Sequence, residues 1–286
     1  MRNTELQYNR FNLSQRIEHG VLIVSFTVLA ITGLPQMFAL QLWAAFMILS
    51  MGGIETVRII HRAAAVLLIV GALYHFVAVA YRVFVQRVAM TMLPGWHDVR
   101  DGLQALGYNV GLVKTAPRMG RYNFSDKIEY WAVIWGTVVM VLTGFMLWNP
   151  IATTAFLPGA FIPAAKVAHG NEALLAVLSI VTWHFYNVHV KRFNHSIFTG
   201  KISHAEMEEE HALELEAIAR GERIEPDPGA MRRRQRVFAP VATVITIVLL
   251  IGLYFFVTYE QTAITTVPRQ QVDVFTPLTP QPERVQ

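Results

Sequence analysis

The 286-residue chain contains no cysteine. Disulfides, Cys-ligated iron–sulfur clusters and thioether-linked haem are therefore excluded within it. Charge is sparse as well. Asp, Glu, Lys and Arg make up 15% of the residues, against about a quarter in ordinary soluble domains. A chain so poor in charge is not expected to be a water-soluble globule. A cleavable signal peptide is not expected either, because the first long apolar window follows a polar leader and lacks a small-residue cleavage site.

Apolar residues are abundant instead, at 53%. Windows near 19–38, 62–81, 130–148, 167–190 and 238–258 approach the roughly 20 residues that a helix needs to cross a bilayer. Lys and Arg are unevenly spread between them. With the N-terminus inside, segments 1–18, 82–127 and 191–236 hold 19 of these cations, and 39–62, 149–168 and 260–286 hold 5. That is a positive-inside pattern, with the C-terminus outside. The sequence pI of 9.4 follows from the inside loops and implies no nucleic-acid partner.

The connections carry their own signals. The stretch LQLWAAFMILSMGG within 39–57 is too short to span and reads as an interfacial segment. A short amphipathic piece is expected over 97–105. Residues 201–224 read as one Glu-rich helix with a solvated face, or a docking surface, ended by the breaker EPDPG. The run MRRRQR then reads as a topology anchor or an anionic-lipid contact. The proline-containing tail 259–286 is expected outside.

Two stretches are copies of each other. Residues 10–35 read RFNLSQRIEHGVLIVSFTVLAITGLP, and 121–146 read RYNFSDKIEYWAVIWGTVVMVLTGFM. Each is followed by an apolar segment with two histidines, His61 and His75 first, His169 and His184 second. The fold expected is all-α and integral to the membrane. A duplicated two-helix repeat would form a four-helix bundle, joined by a fifth C-terminal span.

Ionisable groups within a bilayer are costly and usually functional. His61 and His75 are about 21 Å apart along a helix and rotated by about −40°; His169 and His184 are about 22 Å apart and rotated by about +60°. Each pair thus keeps to one helix face at two depths. His61 and His169 share the outer level, and His75 and His184 the inner one. His19, at the inner edge of the first span, reaches the inner level too. Two stacked bis-histidine haems satisfy this pattern. His189 points about 140° away from His184, and a third haem using His75 and His189 stays open. His97, His195, His204 and His211 read as surface residues. Glu172, one turn after His169, reads as a hydrogen-bond partner of that imidazole, a proton-binding group or a wet interface residue. Gly33, Gly136, Gly144 and Gly170 read either as room for a flat macrocycle or as tight helix packing. Arg16, Arg58, Arg62 and Lys166 read as interface charges or propionate partners.

The order RIEH, RIIHR, GRYNFSDK, AH…HFY and FTGKIS resembles the dihaem cytochrome b (gamma) subunits of membrane-bound formate dehydrogenase, hydrogenase and thiosulfate reductase, over roughly residues 10–205. The resemblance implies His61 and His169 as axial ligands of an outer haem b. It implies His19 and His184 as ligands of an inner one, and a quinone site near Asn123. It also implies a bacterial inner-membrane subunit that passes electrons between a periplasmic redox partner (an iron–sulfur protein or a multihaem cytochrome c) and the quinone/quinol pool. The chain departs from the family in its 15-residue spacing between His169 and His184, in its fifth span and in His75. The internal symmetry favours His75 as the inner ligand, since Tyr130 stands where the second copy would have a histidine; the resemblance favours His19. The domains expected are 1–205 for the haem bundle, 206–237 for a cytoplasmic polar helix and basic linker, 238–258 for the fifth span and 259–286 for a periplasmic tail. No catalytic residue is expected in an electron-transfer subunit of this kind. The rival class is a non-haem transporter or assembly scaffold built on a parallel repeat; against it, no span is broken in mid-membrane by proline or paired glycines.

Overall fold

In chain order, β1 (Gln7–Asn9) and α1 (Leu13–Met37) are followed by α2 (Leu42–Ser50), α3 (Ile54–Phe84), α4 (Trp96–Asn109), α5 (Phe124–Trp148), α6 (Pro150–Thr154) and α7 (Phe161–Ser179). Then come α8 (Ser196–Thr199), β2 (Lys201–Ser203), α9 (His204–Glu210), α10 (Ala212–Ala219) and α11 (Pro228–Thr258). The structure is a computed structural model, and it describes residues 6–191, 193–222 and 227–259.

Five of these helices are long and apolar enough to cross a membrane: α1, α3, α5, α11 and the continuous helix Phe161–Val190 that begins as α7. Each covers one of the five hydropathy windows, α1 ending one residue short of the first. The molecule is an all-α, multi-pass membrane protein, apart from one short two-stranded ribbon among the described residues. Large apolar side chains such as Ile31, Leu67, Val70, Leu142, Leu178 and Ile247 face outward, as lipid-facing residues do. Many of the buried positions along the spans are small or polar, among them Ser25, Thr32, Ala64 and Thr143, beside Pro35 and Val57. α2 has nine residues, about 13 Å of helix, far short of a span. The tail beyond Tyr259 lies outside the described residues.

Helix starts follow from capping chemistry. The Asn12 side chain accepts from the Gln15 N–H at 2.9 Å, and the Gln15 side chain accepts from the Asn12 N–H at 3.1 Å. Asn123 and Asp126 form the same reciprocal box at the start of α5, at 2.8 and 3.1 Å. These boxes satisfy donors that a helix N-terminus would otherwise leave unpaired. α1 packs on α3, α5 on α7, and α1 also meets α7. α11 stands beside this bundle. It touches α3 through Tyr81 and Phe238 (ring centroids 5.7 Å apart) and α5 through Phe145 and Phe256 (4.9 Å). The basic run MRRRQR lies within its first turns, where Arg234 donates to the Val85 carbonyl at 2.8 Å.

The Glu-rich segment departs from the single helix expected over 201–224. It is a strand and two short helices, broken at His211, whose φ of −137° and ψ of 39° are not helical. Long-range bonds explain the break. β2 pairs antiparallel with β1, with Gln7 opposite Ser203. Gly200 (φ +79°) turns the chain so closely that an added Cβ would lie 2.7 Å from the Phe11 carbonyl oxygen. His211 Nδ1 then donates to the Gly120 carbonyl at 2.9 Å, and the Leu213 N–H donates to Met119 O at 3.0 Å. Arg121 pairs with Glu214 at 3.2 Å, and Arg118 with Glu216. Segment 200–219 is therefore a strap that grips the leaders of both α1 and α5. The two leaders also clasp each other: Arg10 donates to the Arg121 carbonyl, and Arg121 to the Arg10 carbonyl.

His211, expected on the surface, is 3% exposed. Burial, then the Arg10 and Arg121 guanidiniums, push it down to about 4, against the opposing pull of the Gly120 carbonyl. A histidine depressed in this way stabilises the docked strap above its unfolded pKa of about 6.5, and that stability fades as pH falls toward the folded value. The loss is about 1.4 kcal/mol per pH unit over this window. The strap is expected to gain proteolytic sensitivity between pH 7 and pH 5. Protection that stays constant over this range would show that His211 does not hold it.

Candidate functional site

The spans bring four histidines together in two pairs. His61 of α3 and His169 of α7 have ring centroids 6.4 Å apart and planes 65° apart. His19 of α1 and His184, in the π-helical continuation of α7, are 6.3 Å and 38° apart. His19 lies near the strap end of the bundle, and the His61–His169 pair nearer the other end. The π-helical turn Ile180–His184 lies within the unusual interval, and a second one, Tyr186–Val190, follows it. A π-turn takes in an extra residue and shifts the helix face, so a 15-residue interval still returns His184 to the face of His169.

Hydrogen bonds fix the chemistry of three of these rings. The Thr32 hydroxyl has one hydrogen, which goes to the Val28 carbonyl at 2.6 Å. Its contact with His61 Nδ1, at 2.8 Å, must then be accepted from that nitrogen. Thr143 repeats the arrangement, donating to Val139 O at 2.6 Å and accepting from His169 Nδ1 at 2.9 Å. His184 Nδ1 donates to the Glu129 carboxylate at 2.7 Å. In each case Nδ1 carries the proton and Nε2 keeps a lone pair. That is the tautomer a metal ligand needs, with the second nitrogen anchored as metal-bound histidines usually are.

His75 is arranged differently. Its Nδ1 lies 2.6 Å from Glu18, which also receives Arg82 at 3.0 Å and the Ser14 hydroxyl at 2.6 Å. Its Nε2 lies 3.0 Å from the Tyr130 hydroxyl. With Nδ1 donating to the carboxylate, Nε2 accepts the tyrosine proton, and its lone pair is already engaged. His189 contacts Phe185 and Phe193, with centroids 5.0 and 5.4 Å away, and joins neither pair.

A metal–imidazole nitrogen bond is about 2 Å long, so one iron held between two imidazoles sets their centroids about 6 Å apart. Both histidine pairs meet this spacing, and both present imidazole nitrogens. The residues present therefore fit two bis-histidine haems.

The glycines serve packing. An added Cβ at Gly33 would lie 3.0 Å from His61 Cε1, and one at Gly144 would lie 3.3 Å from His169 Cε1. These two residues make room for the histidine rings themselves. Gly136 makes room for Glu172, whose Oε1 would lie 2.7 Å from an added Cβ, and Gly170 faces Met37. Glu172 is therefore packed against the middle of α5, and Thr143 takes the role at His169 that the sequence left open for it. Asn123 has its side-chain oxygen committed to capping α5, at the turn that the strap grips. Arg62 stacks on Trp148, with its guanidinium carbon 4.7 Å from the ring centroid.

The supporting residues Thr32, Thr143, Glu18 and Glu129 were missed as functional residues in the sequence. Their signal was their recurrence at the 111-residue offset inside RIEH/KIEY and ITG/LTG.

No family model matches the chain. Among curated proteins it is similar to the cytochrome b556(fdo) subunit of formate dehydrogenase from Escherichia coli K12, with 24% identity over 180 residues, 62% of this chain and 76% of the relative. It is also similar to the nitrate-inducible cytochrome b556(Fdn) subunit of the same organism, with 20% identity over 213 residues, 74% of this chain and 92% of the relative. The Shigella flexneri cytochrome b556(Fdn) subunit matches to the same extent. Both the motif order and these relatives point the same way: the chain is akin to the cytochrome b subunits of formate dehydrogenase.

Proposed function

We propose that the chain is the membrane-anchoring, dihaem cytochrome b subunit of a respiratory oxidoreductase, carrying electrons between a periplasmic redox subunit and the quinone/quinol pool. The observation that carries this reading is the pair of facing histidine couples at two depths of one bundle, with Nε2 left free on the three rings whose Nδ1 is anchored. His61 and His169 would hold the outer haem b, and His19 and His184 the inner one. The haems, when bound, supply one-electron redox chemistry; the protein supplies ligands, spacing and surroundings.

Each residue has a defined task in this reading. Thr32, Thr143 and Glu129 hold their imidazoles in the ligating tautomer. Tyr130 and Glu18 keep His75 out of the iron set, so His19 is the inner ligand. The duplicated two-helix unit gives each level one face of α7. The quinone headgroup would be received at the inner end, beside the turn containing Asn123. With the N-terminus in the cytoplasm of a bacterium and the C-terminus in the periplasm, that end exchanges protons with the cytoplasm. Iron–sulfur or multihaem c-type partners fit the outer side, and the tail 259–286 is a candidate dock for them.

The deciding experiment is a dithionite-reduced minus air-oxidised spectrum of the purified protein, with haem quantified per chain. About two b-type haems per chain are expected, as the two ligand pairs require. Folded protein made with haem available, yet carrying none, would sink the reading in favour of a transporter or scaffold.

A further inference from the structure

The anchored ligands do not have equivalent partners. At the level of His61 and His169, both Nδ1 protons go to neutral threonine hydroxyls, at 2.8 and 2.9 Å. At the other level the His184 proton goes to a carboxylate, Glu129, at 2.7 Å. The corresponding carboxylate of the first copy, Glu18, is bound to Arg82 and to a histidine whose other nitrogen faces Tyr130. Each copy thus holds a Glu–His pair, but only in the second does the imidazole face another histidine.

We propose that Glu129 is a positioning residue that tunes the inner haem. It holds His184 with a full negative charge and so sets that haem at a lower potential than a neutral partner would. The inference rests on the dihaem reading above. The physical cause has two parts. A carboxylate that accepts the Nδ1 proton draws the ring toward imidazolate character, which strengthens Nε2 as a donor. The fixed charge also favours the ferric over the ferrous state, and the partial burial of the pair limits the water that would screen it. A threonine hydroxyl fixes the tautomer with neither effect. The two haems are therefore distinguished by the partner of a ligand, although all four ligands are histidines.

The test is an optical redox titration of the purified, haem-loaded protein, comparing wild type with Glu129→Gln, alongside the low-spin ferric EPR spectrum. Glutamine keeps a hydrogen-bond acceptor and removes the charge. The midpoint of one haem component is expected to move upward while the other stays in place, and the EPR signal of that same haem is expected to change. Thr143→Val should leave the Glu129-linked component where it was. A Glu129→Gln protein that keeps both haems with both midpoints unmoved, or moved equally, overturns the proposal. Should Glu129→Gln lose the inner haem, Glu129→Ser decides, its hydroxyl being neutral like the threonines of the other level; a haem lost there too overturns tuning in favour of a purely structural role. A retained haem at an altered midpoint supports the tuning role, and an unaltered midpoint overturns it. Wild-type protein without haem would instead refute the dihaem reading, which is a separate result.

Discussion

Alanine at His169 is expected to remove one of the two haems entirely, lowering the content from about two per chain to about one. His169 is the ring that faces His61, and Thr143 holds it there by accepting its Nδ1 proton. Without the imidazole, only His61 of α3 would remain to hold that haem. His61→Ala should give the same spectrum, since in the proposed reading the two residues would hold one iron between them. His184→Ala and His19→Ala should each remove the other component instead. The informative contrast is His75→Ala. Its Nε2 is taken up by the Tyr130 hydroxyl, so both haems should survive the substitution. Haem extracted and quantified per folded chain reads out all five variants. Loss of the inner haem in His75→Ala, with retention in His19→Ala, would reverse the assignment of the inner ligand.

How much of this was legible in the sequence depended on the range over which each interaction acts. The five spans were readable because a lipid-facing helix writes its solvent directly into its hydropathy. The two histidine levels were readable because the duplication placed His61 and His169 after equivalent helices, and depth follows from residue count. The supporting partners were quoted in the motifs but stayed mute. Thr143 to His169 and Glu129 to His184 join residues 26 and 55 apart, and no local periodicity reports a bond between neighbouring helices. The first π-turn left one trace, the 15-residue interval, which registers as an irregularity without revealing its cause. The strap was misread for a related reason. AEMEEEHALELEAIAR has helix-forming composition throughout, but His211 is pulled out of helical geometry by Gly120, 91 residues away. The Gly120 carbonyl and the leader clasp overrode local propensity there.

Replacing Asp98 by alanine is expected to destabilise the protein by about 3–5 kcal/mol, among the larger effects of a single substitution. Lys127, in the first turns of α5, is 5% exposed. Its ammonium donates to both carboxylate oxygens of Asp98, at 2.7 and 2.9 Å. The same carboxylate accepts from the Gly95 N–H at 2.6 Å and so also starts α4. Burial alone would raise the Asp98 carboxyl, but the Lys127 ammonium and the Gly95 N–H outweigh it and hold the group below its ordinary value. The stabilisation is therefore present above the unfolded Asp pKa of about 3.9 and lost as pH falls through the folded value. At neutral pH, alanine leaves the Lys127 charge buried with the His97 ring nitrogen, 3.3 Å away, as its remaining side-chain polar partner among the described residues. The larger share of the cost is this stranded charge, and the salt bridge itself contributes less. It follows that Asp98→Leu combined with Lys127→Met should be less damaging than Asp98→Ala alone. The coupling between the two positions should be well above the few tenths of a kcal/mol typical of independent sites. Unfolding followed in detergent for the two singles and the double provides the cycle. Additive effects, or an Asp98→Ala protein as stable as wild type, would show that α4 is not anchored to α5 through this pair.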